Sequence, residues 1–393
     1  MSVLILDGHL KSSLAVVRSL GKAGEFVVCG GERRTAMALS SRYAKERFVY
    51  VSPKINQQGF VDAVRTEASR LLEETGERPV VFCFSDATHL SLARAYSQLK
   101  DVLVFPLPPH EPREVAFDKE KTHTYAETLN IPTIRCYQPS EFLEVAFPAV
   151  VKARHSMVWK EGKGIAGTAV FVFSYEELVS VFKKVKEETG ESPLVQEFIE
   201  GDEYGVECVC KGGRILEQFS HKRIRSLSPR GGAAVVKETA PDSKEAELMR
   251  RYAEVLLHEL QWTGPAMVEF KIDNRDGSIR LMEINGRFWG SLPLAIHAGA
   301  HFPLVYMKLA EGIEVKNKNI FVPSYVRTRH FLGDVKWLLT VLFANDQLRK
   351  QLYPSRLKAI WDFKIEICRS RGDIFDIRDL KPSFMEYIDI LRK

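Results

Sequence analysis

The chain has 393 residues, 45% of them hydrophobic and 27% charged, with a formal net charge of +5. This length exceeds one compact core, so two or three subdomains are expected, and the composition is that of an ordinary globular protein. The small charge does not indicate a nucleic-acid-binding protein, and no run approaches the roughly 18 apolar residues of a membrane span. Six cysteines without CxxC or zinc-type spacing, and charged residues inside the first apolar segment, predict a cytoplasmic protein.

Residues 1–117 alternate short apolar runs with helical patterns, which predicts a parallel α/β domain. The predicted strands are 3–8, 26–31, 47–53, 79–86 and 102–108. The first strand–helix turn, LDGHLKSSL, lacks the GxGxxG fingerprint, so a dinucleotide-dependent oxidoreductase loses its main support. Further along, helices alternate with hairpin-like strand pairs, which is typical of α+β structure, and the tail from about 311 predicts helices with a late short strand.

Two strand patterns, PAMVEFKID (265–273) and SIRLMEIN (278–285), flank a turn and predict a β-hairpin. A three-residue loop ending in Gly277 places Glu269 opposite Glu283 and Met267 opposite Asn285. Like charges that face each other destabilise a strand pair. A Mg²⁺ ion, which proteins hold with one or two carboxylates together with substrate phosphates, would neutralise this pair.

Polar residues continue along the same face of this hairpin, because residues i, i+2 and i+4 of a strand share a face. Asn285 would supply a third oxygen, and Arg287 follows within the turn GRFWGS. The sequence therefore favours a metal site made by Glu269, Glu283 and Asn285. The alternative is a solvated hairpin face whose carboxylates pair with lysines.

Upstream of the hairpin, two lysines and a glycine-containing loop suggest a phosphate site. Lys119 begins a helical pattern, and Lys152 ends the apolar strand FPAVVKA. The loop KEGKGIAGTAVFV follows, and its Gly164 and Gly167 would let backbone N–H groups approach phosphate oxygens. Lysine supplies a point charge for the same oxygens. The loop is not a GxxxxGK[ST] motif, and an ordinary flexible turn would look similar.

The stretch VQEFIEGDE (195–203) joins a strand to a glycine turn and a second strand. A backbone edge at Glu197, Phe198 and Ile199 could read adenine through one donor and one acceptor, and Glu203 could accept ribose hydroxyls. Surface charge is the alternative interpretation of both glutamates.

A basic segment, SHKRIRSLSPRGG (220–232), follows the second strand. Its Lys222, Arg225 and Arg230 could bind a substrate carboxylate or the phosphate of an acyl intermediate. A solvated loop is the alternative, and nucleic-acid binding is disfavoured because no aromatic platform is interleaved with these charges.

The order of these features along the chain resembles that of the ATP-grasp superfamily: the two lysines, the glycine loop, QEFIEGDE, VEF and MEINGR. The similarity is to the carbamoyl-phosphate synthase and biotin carboxylase branch, including predicted ATP-dependent carboligases. The resemblance covers about residues 1–312, and VEF combined with MEINGR is its most specific part. It implies a pre-ATP-grasp α/β domain over residues 1–117 and a mostly helical extension over residues 313–393. Between them lies a two-lobed ATP-grasp fold, with its small lobe at 118–200 and its large lobe at 201–312.

The resemblance also implies ATP and Mg²⁺, or Mn²⁺, as cofactors. By this resemblance, Lys119, Lys152 and the glycine loop would contact the ATP phosphates. The backbone at 197–199 would contact adenine, and Glu203 the ribose. Glu269, Glu283 and Asn285 would hold the metal, and Arg287 would bind the acyl-phosphate. Lys222 and Arg225 are further candidates for catalysis.

The expected activity is that of a carboxylate–amine ligase, which activates a carboxylic acid as an acyl-phosphate and joins it to an amine. A bicarbonate-using carboxylase and a non-catalytic ATP-binding subunit are the alternatives. Small-molecule acids and amines are the expected partners, without nucleic acid. The tail would supply part of the substrate pocket or an oligomer interface, such as that of a homodimer.

Overall fold

The structure is a computed structural model that describes residues 2–228, 231–315, 324–344 and 353–391. Its N-terminal domain is a four-stranded parallel sheet of order β3-β2-β1-β4, flanked by helices. The elements are β1 (Ser2–Ile5), α1 (Lys11–Lys22), β2 (Phe26–Gly31), a 3-10 helix (Met37–Ser40), β3 (Glu46–Val49), α2 (Gln57–Thr75), β4 (Val80–Phe82), α3 (Asp86–Arg94) and α4 (Tyr96–Leu99). The predicted parallel domain is confirmed, although the run 102–108 forms only an isolated bridge, from Val104 to Val80.

The next part of the chain is a smaller lobe, built on an antiparallel sheet of order β5-β10-β6-β9 and a separate two-stranded hairpin. Asp118 caps a helix here, because its carboxylate accepts the N–H groups of Glu120 and Lys121. The elements are α5 (His110–Phe117), α6 (Lys119–Thr128), β5 (Cys136–Tyr137), a 3-10 helix (Pro139–Glu144), β6 (Ala149–Lys152), β7 (Met157–Lys160), β8 (Lys163–Ala166), β9 (Ala169–Val172), α7 (Tyr175–Thr189) and β10 (Leu194–Glu197).

A larger lobe follows, dominated by a seven-stranded sheet of order β15-β14-β11-β12-β13-β16-β17. Its first five strands by sequence are long antiparallel neighbours, and its last two come from the C-terminal extension. The elements are β11 (Gly201–Lys211), β12 (Arg214–Ser228), β13 (Gly231–Thr239), α8 (Lys244–Glu259), β14 (Gly264–Asp273), β15 (Ile279–Asn285), α9 (Leu292–His297) and α10 (Phe302–Ala310).

The C-terminal extension is mostly helical within the residues described, as predicted, with two short strands. Its elements are β16 (Arg327–Arg329), α11 (Phe331–Phe343), α12 (Arg356–Arg369), β17 (Arg371–Gly372) and α13 (Lys381–Leu391). Asp379 fixes the extension to the N-terminal domain, since Arg18 Nε donates to it at 2.9 Å and Ser41 Oγ at 2.7 Å. In the described parts of the chain, no helix combines the length and apolar character needed to cross a membrane.

An aromatic cluster joins the N-terminal domain to the larger lobe beside the predicted site. Phe288 stacks on Phe82 with ring centroids 5.4 Å apart and meets the edge of Tyr306 at 5.3 Å. All three side chains are buried. Because Phe288 directly follows Arg287, this packing fixes the chain that carries the predicted catalytic arginine.

The carboxylate hairpin has the predicted pairing at the end that carries Glu269 and Glu283 but not at its turn. Glu269 lies opposite Glu283, and Met267 lies opposite Asn285. The loop was predicted to have three residues, which is wrong, because Asp273 N–H donates to Ser278 and four residues lie between them. A bulge after Glu269 absorbs the difference, so Phe270 pairs with Leu281 rather than with Met282.

Candidate active site

A cavity of about 480 Å³ lies between the small-lobe sheet and the large-lobe sheet. The residues that line it come from β6, β9 and β10 of the smaller lobe and their connections, from β11 to β15 of the larger lobe and the turn after β15, and from Lys11 of the N-terminal domain. The predicted site residues among them are Lys152, Glu197, Phe198, Ile199, Glu203, Glu269, Glu283, Asn285 and Arg287. The fold thus brings to one cavity most of the residues that the sequence had placed at separate points of the chain.

The two facing glutamates of the hairpin form the floor of this cavity, and Asn285 bridges them. Asn285 Nδ2 donates to Glu269 Oε1 at 3.1 Å and to Glu283 Oε1 at 3.4 Å. The bulge also turns Met282 into the cavity beside Glu283. Two carboxylates and one amide therefore converge on a single concave surface.

Two lysines of the smaller lobe approach Glu283. Lys152, the last residue of β6, places its Nζ 3.0 Å from Glu283 Oε2. Lys119, the first residue of α6, places its Nζ 3.9 Å from the same oxygen and donates to Ser156 Oγ at 2.8 Å. Lys119 is more deeply buried than Lys152 and stands behind the cavity wall, outside its lining.

The facing carboxylates have opposite pKa shifts. Burial alone would raise the pKa of Glu283, but Lys152 and Lys119 outweigh it and hold that pKa well below its ordinary value. Burial raises the pKa of Glu269; Arg223 partly opposes this and Glu283 adds to it. The site thus shifts the pKa values of two chemically identical carboxyl groups apart, as expected where like charges lie close together.

Arg287 lines the cavity next to the carboxylates and is held from the N-terminal domain. Its Nε donates to Asp86 Oδ1 at 2.7 Å, and its Nη2 donates to Asn285 Oδ1 at 3.2 Å. Asp86 lies in the first turn of α3, where an acidic residue also complements the helix dipole. The N-terminal domain therefore orients a guanidinium beside the predicted metal ligands.

One end of the cavity is an apolar slot at the predicted adenine edge. Phe171 and Phe198 meet with ring centroids 5.6 Å apart, and Ile134 and Val150 line the same end. The Glu197 N–H donates to the Arg135 carbonyl, so a free backbone donor at this edge would have to come from the residues after Glu197.

Glu203, the predicted ribose ligand, lies in the cavity between two cations. Arg223 Nη1 donates to it at 2.6 Å and Lys271 Nζ at 3.3 Å. Lys271 also lies 5.6 Å from the centre of the Phe198 ring. Burial favours the neutral acid, yet Arg223 and Lys271 lower the pKa of Glu203 and keep it ionised.

Gly164 and Gly167 are not brought to this cavity. The β7–β8 hairpin that carries Gly164 lies against the N-terminal domain, where the Gly164 N–H donates to the Lys54 carbonyl at 2.8 Å. Trp159 of the same hairpin donates to the Pro53 carbonyl and stacks under Arg94 at 4.5 Å. In this arrangement the glycine hairpin packs against protein, and its role as a phosphate loop stays a prediction.

Lys222 and Arg225, the two further residues predicted to take part in catalysis, do not line this cavity. Lys222 pairs with Asp202 on the other face of the sheet. Arg225 is buried in an ion pair with Asp334 at 2.5 Å and stacks on Trp337 at 4.0 Å, so it ties β12 to the extension. Arg230, also predicted from this segment, lies outside the described residues.

Arg223 and His221 line the cavity instead, because a β-bulge places Arg223, and not Lys222, on the cavity face of β12. The Gly212–Gly213 turn joins two strands, and regular pairing from it would place Lys222 opposite Glu203. A register shift between Val209 and Cys210 places Arg223 there. A shift of one residue moves every following side chain to the other face.

A buried polar cluster stands at the other end of the cavity and was not predicted. His221 Nδ1 lies 2.9 Å from Glu207 Oε1, and Ser291 Oγ donates to the same oxygen at 2.5 Å. Glu207 is fully buried. Gly205 lies opposite His221, and a Cβ there would stand 2.3 Å from the imidazole Cε1, so the ring position requires glycine. This glycine was the one sequence signal for the cluster.

The hairpin could hold a hard divalent cation only together with oxygen ligands that come from a bound substrate. Within the described residues, no three His, Cys, Asp or Glu side chains lie together as a metal site. Glu269, Glu283 and Asn285 offer two carboxylates and one amide, which is the incomplete oxygen set that proteins use for Mg²⁺ shared with phosphates. The chemistry of the donors therefore suits magnesium held jointly with a phosphorylated substrate.

Comparison with known proteins agrees with this architecture. A family described as ATP-grasp in the biosynthetic pathway with Ter operon matches residues 190–330. A search of curated proteins by sequence gave no match. The biotin carboxylase domain of Hydrogenobacter thermophilus 2-oxoglutarate carboxylase, solved with MgADP, ADP and bicarbonate, is 16% identical with a TM-score of 0.64, over 84% of this chain and 74% of that one.

Two further solved structures are similar. Biotin carboxylase from Campylobacter jejuni, in complex with β,γ-ATP, is 16% identical with a TM-score of 0.66, over 83% of this chain and 75% of its own. L-amino acid ligase from Bacillus licheniformis is 18% identical with a TM-score of 0.58, over 80% of this chain and 77% of its own. The resemblance inferred from the sequence is confirmed: the chain has the ATP-grasp fold, and its residues 190–330 match an ATP-grasp family.

Proposed function

We propose that this chain is an ADP-forming, magnesium-dependent ligase that activates a carboxylic acid with ATP and joins it to an amine. The observation that carries the proposal is the joint placement of an opposed carboxylate pair, Lys152 and Arg287 in one cavity that ends in an apolar slot. Adenine would occupy the slot at Phe171 and Phe198, with the phosphates directed toward the lysines.

The cavity offers each charge that the first step needs. A substrate carboxylate oxygen attacks the γ-phosphorus, the bond to the bridging oxygen breaks, and ADP leaves with its electron pair. Lys152 holds phosphate oxygens, which places the reacting atoms in line and offsets their charge, while Lys119 adds positive charge from behind, against Glu283. When bound, Mg²⁺ would neutralise the charge on the phosphate oxygens at Glu269, Glu283 and Asn285.

The second step uses Arg287. An amine attacks the carbonyl carbon of the acyl-phosphate, inorganic phosphate leaves, and the nitrogen loses a proton to give the amide. Arg287 is held by Asp86 before substrate arrives, so its N–H groups can stabilise the oxyanion without reorganising. A fixed guanidinium suits this task because its donors match the planar geometry of carboxylate and phosphate oxygens.

The test measures ADP release from MgATP with pools of carboxylic acids, using hydroxylamine to trap any acyl-phosphate as a hydroxamate. We expect ADP and hydroxamate to form in equal amounts, and Glu283→Gln to abolish both. The matched control is Glu254→Gln on the exposed face of α8, which should behave as wild type. ATP binding without ADP release for any acid would contradict the proposal, and release driven by bicarbonate alone would favour a carboxylase.

A further inference from the structure

A second cavity, of about 460 Å³, adjoins the first. The two cavities share Lys11, Ala233 and Ala234, so they meet at the start of α1 and at β13. Three parts of the chain enclose the second cavity: the N-terminal domain, strands β12 and β13 of the larger lobe, and the C-terminal extension. Its volume lies in the range typical of small-molecule sites.

The wall of this cavity is mainly apolar. Its aliphatic and thioether lining is made by Leu10, Met37, Leu227, Val235 and Ile374. Apart from Lys11, the charged or titratable lining residues are paired with each other or exposed: His330 Nε2 lies 2.5 Å from Glu386, while His9, Glu32 and Arg33 are exposed. The interior therefore suits an apolar body rather than a polar or charged one.

A cationic cluster stands where the two cavities meet. Lys11 Nζ and Lys237 Nζ each lie 2.6 Å from the same oxygen of Asp373, whose other oxygen has no hydrogen-bond partner within the described residues. Asp373 and Lys237 are buried, whereas Lys11 reaches both cavities. Two lysines that share one carboxylate leave positive charge at the junction.

Lys11 retains capacity for an anion. An ammonium has three donors, and Lys11 uses one on Asp373 and a long one, of 3.4 Å, on the Ala234 carbonyl. Burial lowers the pKa of Lys237 to about 7, so a second anion at this cluster would favour its charged form. An amine at the same point would instead meet a repelling charge.

We propose that the second cavity holds the apolar body of a monocarboxylic acid whose carboxylate is bound by Lys11 at the junction, facing the nucleotide cavity. The inference rests on the proposed ligase function and names the class of acid that is activated. It also gives the C-terminal extension a task, because Ile374 closes the apolar wall and Asp373 positions Lys11.

The test is calorimetric titration of the full chain with acetate, butyrate, hexanoate and octanoate, with and without Mg²⁺ and a non-hydrolysable ATP analogue. Adipate and suberate are the dicarboxylate controls, and octylamine probes the opposite charge. We expect affinity to rise about threefold to fourfold for each added methylene group. We expect the dicarboxylates to bind at least tenfold more weakly than monocarboxylates of equal length.

Two substitutions locate the binding. Leu227→Trp fills the cavity and should weaken octanoate binding at least tenfold while leaving acetate unchanged; Leu248→Trp, on α8 and away from both cavities, is its matched control. Lys11→Met should weaken every acid, and Lys11→Arg should restore most of the affinity. The length series on the wild-type chain does not depend on either variant folding.

Equal affinity for short and long acids, preference for dicarboxylates, or binding of octylamine in place of octanoate would overturn the inference. So would an unchanged length series in a folded Leu227→Trp variant. Binding of the ATP analogue, measured in the same titrations, separates the two proposals. If the nucleotide binds and no acid does, this inference fails alone; if the nucleotide does not bind, the proposed function fails.

Discussion

Lys152 Nζ lies 3.0 Å from Glu283 Oε2, and the pair joins the two lobes across the cavity. Lys152 ends a strand of the smaller lobe, whereas Glu283 lies on the hairpin of the larger one. Lys152, the proposed phosphate ligand, and Glu283, the proposed magnesium ligand, thus lie within hydrogen-bonding distance of each other. The proposed chemistry needs this proximity, since Lys152 would bind phosphate oxygens while Glu283 would help to hold the magnesium ion that neutralises them.

Replacing Lys152 by methionine should weaken binding of MgATP by roughly 10- to 100-fold, the usual effect of losing a hydrogen bond to a charged group. Methionine keeps the length of the side chain and removes its charge. Calorimetry with MgATP measures the change. Lys184→Met is the control, because Lys184 lies on the smaller lobe with 73% of its side chain exposed. Wild-type affinity in the Lys152 variant would place the phosphates elsewhere.

Arg287→Lys should reduce acid-dependent ADP release about a hundredfold while ATP affinity changes less than threefold. This loss of rate is the usual effect of removing one fixed hydrogen-bond donor from the oxyanion that forms in the transition state. Lysine keeps the charge but not the planar fork that Asp86 and Asn285 hold. Asp86→Asn should give an intermediate loss in steady-state kinetics. A loss of ATP affinity equal to the loss of rate would assign Arg287 to ground-state binding.

The two hairpin glutamates should change acid stability in opposite directions. The depressed pKa of Glu283 means that its contribution to stability is present above its ordinary value of 4.5 and is lost as pH falls below it. The pKa of Glu269 is raised above 4.5, so its native carboxyl takes up a proton first, and stability is gained as pH falls toward 4.5.

Urea unfolding of Glu283→Gln and Glu269→Gln between about pH 7 and pH 3.5 measures this difference. Compared with wild type, Glu283→Gln should lose less free energy of unfolding below pH 4.5. Glu269→Gln should gain less between pH 7 and pH 4.5. Parallel pH curves for both variants and wild type would show that the lysines do not distinguish the two carboxylates.

Arg223→Ala should weaken MgATP binding, whereas Lys222→Ala should leave it within about threefold of wild type. Arg223 lies 2.6 Å from Glu203 and 3.6 Å from Glu269, so its loss removes a cation that contacts two cavity carboxylates and leaves Lys271 alone at Glu203. Lys222 lies on the opposite face of the same strand, paired with Asp202. Equilibrium binding of the nucleotide compares the two neighbours directly, and the reverse order of effects would contradict the bulged register.

The carboxylate hairpin could be predicted because its information is local. Alternation along two adjacent strands and a glycine turn place Glu269 against Glu283, and pairing at that end follows the prediction. The bulge at Met282 and the longer loop could not be read from the pattern. Each costs one residue of register, and the two errors cancel before the glutamates are reached.

Long-range partners could not be predicted in the same way. Asp86 and Arg287 are 201 positions apart, and only folding of the N-terminal domain against the larger lobe brings them together. The presence of Arg223 in the cavity could not be read from the pattern either, since the register shift between Val209 and Cys210 decides whether Lys222 or Arg223 lies opposite Glu203. The packing of Gly164 on Lys54 likewise depends on a contact between domains.

If nucleotide and magnesium bind at the Glu269–Glu283 hairpin, both should stabilise the native chain through Glu283. Thermal denaturation of wild type and Glu283→Gln, with ATP in Mg²⁺ and with ATP in EDTA, measures this. Ligand at a hundred times its Kd stabilises a native protein by about 2.7 kcal/mol. We expect a magnesium-dependent rise in Tm for wild type that Glu283→Gln largely loses. An equal rise in the variant, or no rise in wild type with any nucleotide, would contradict binding at this hairpin.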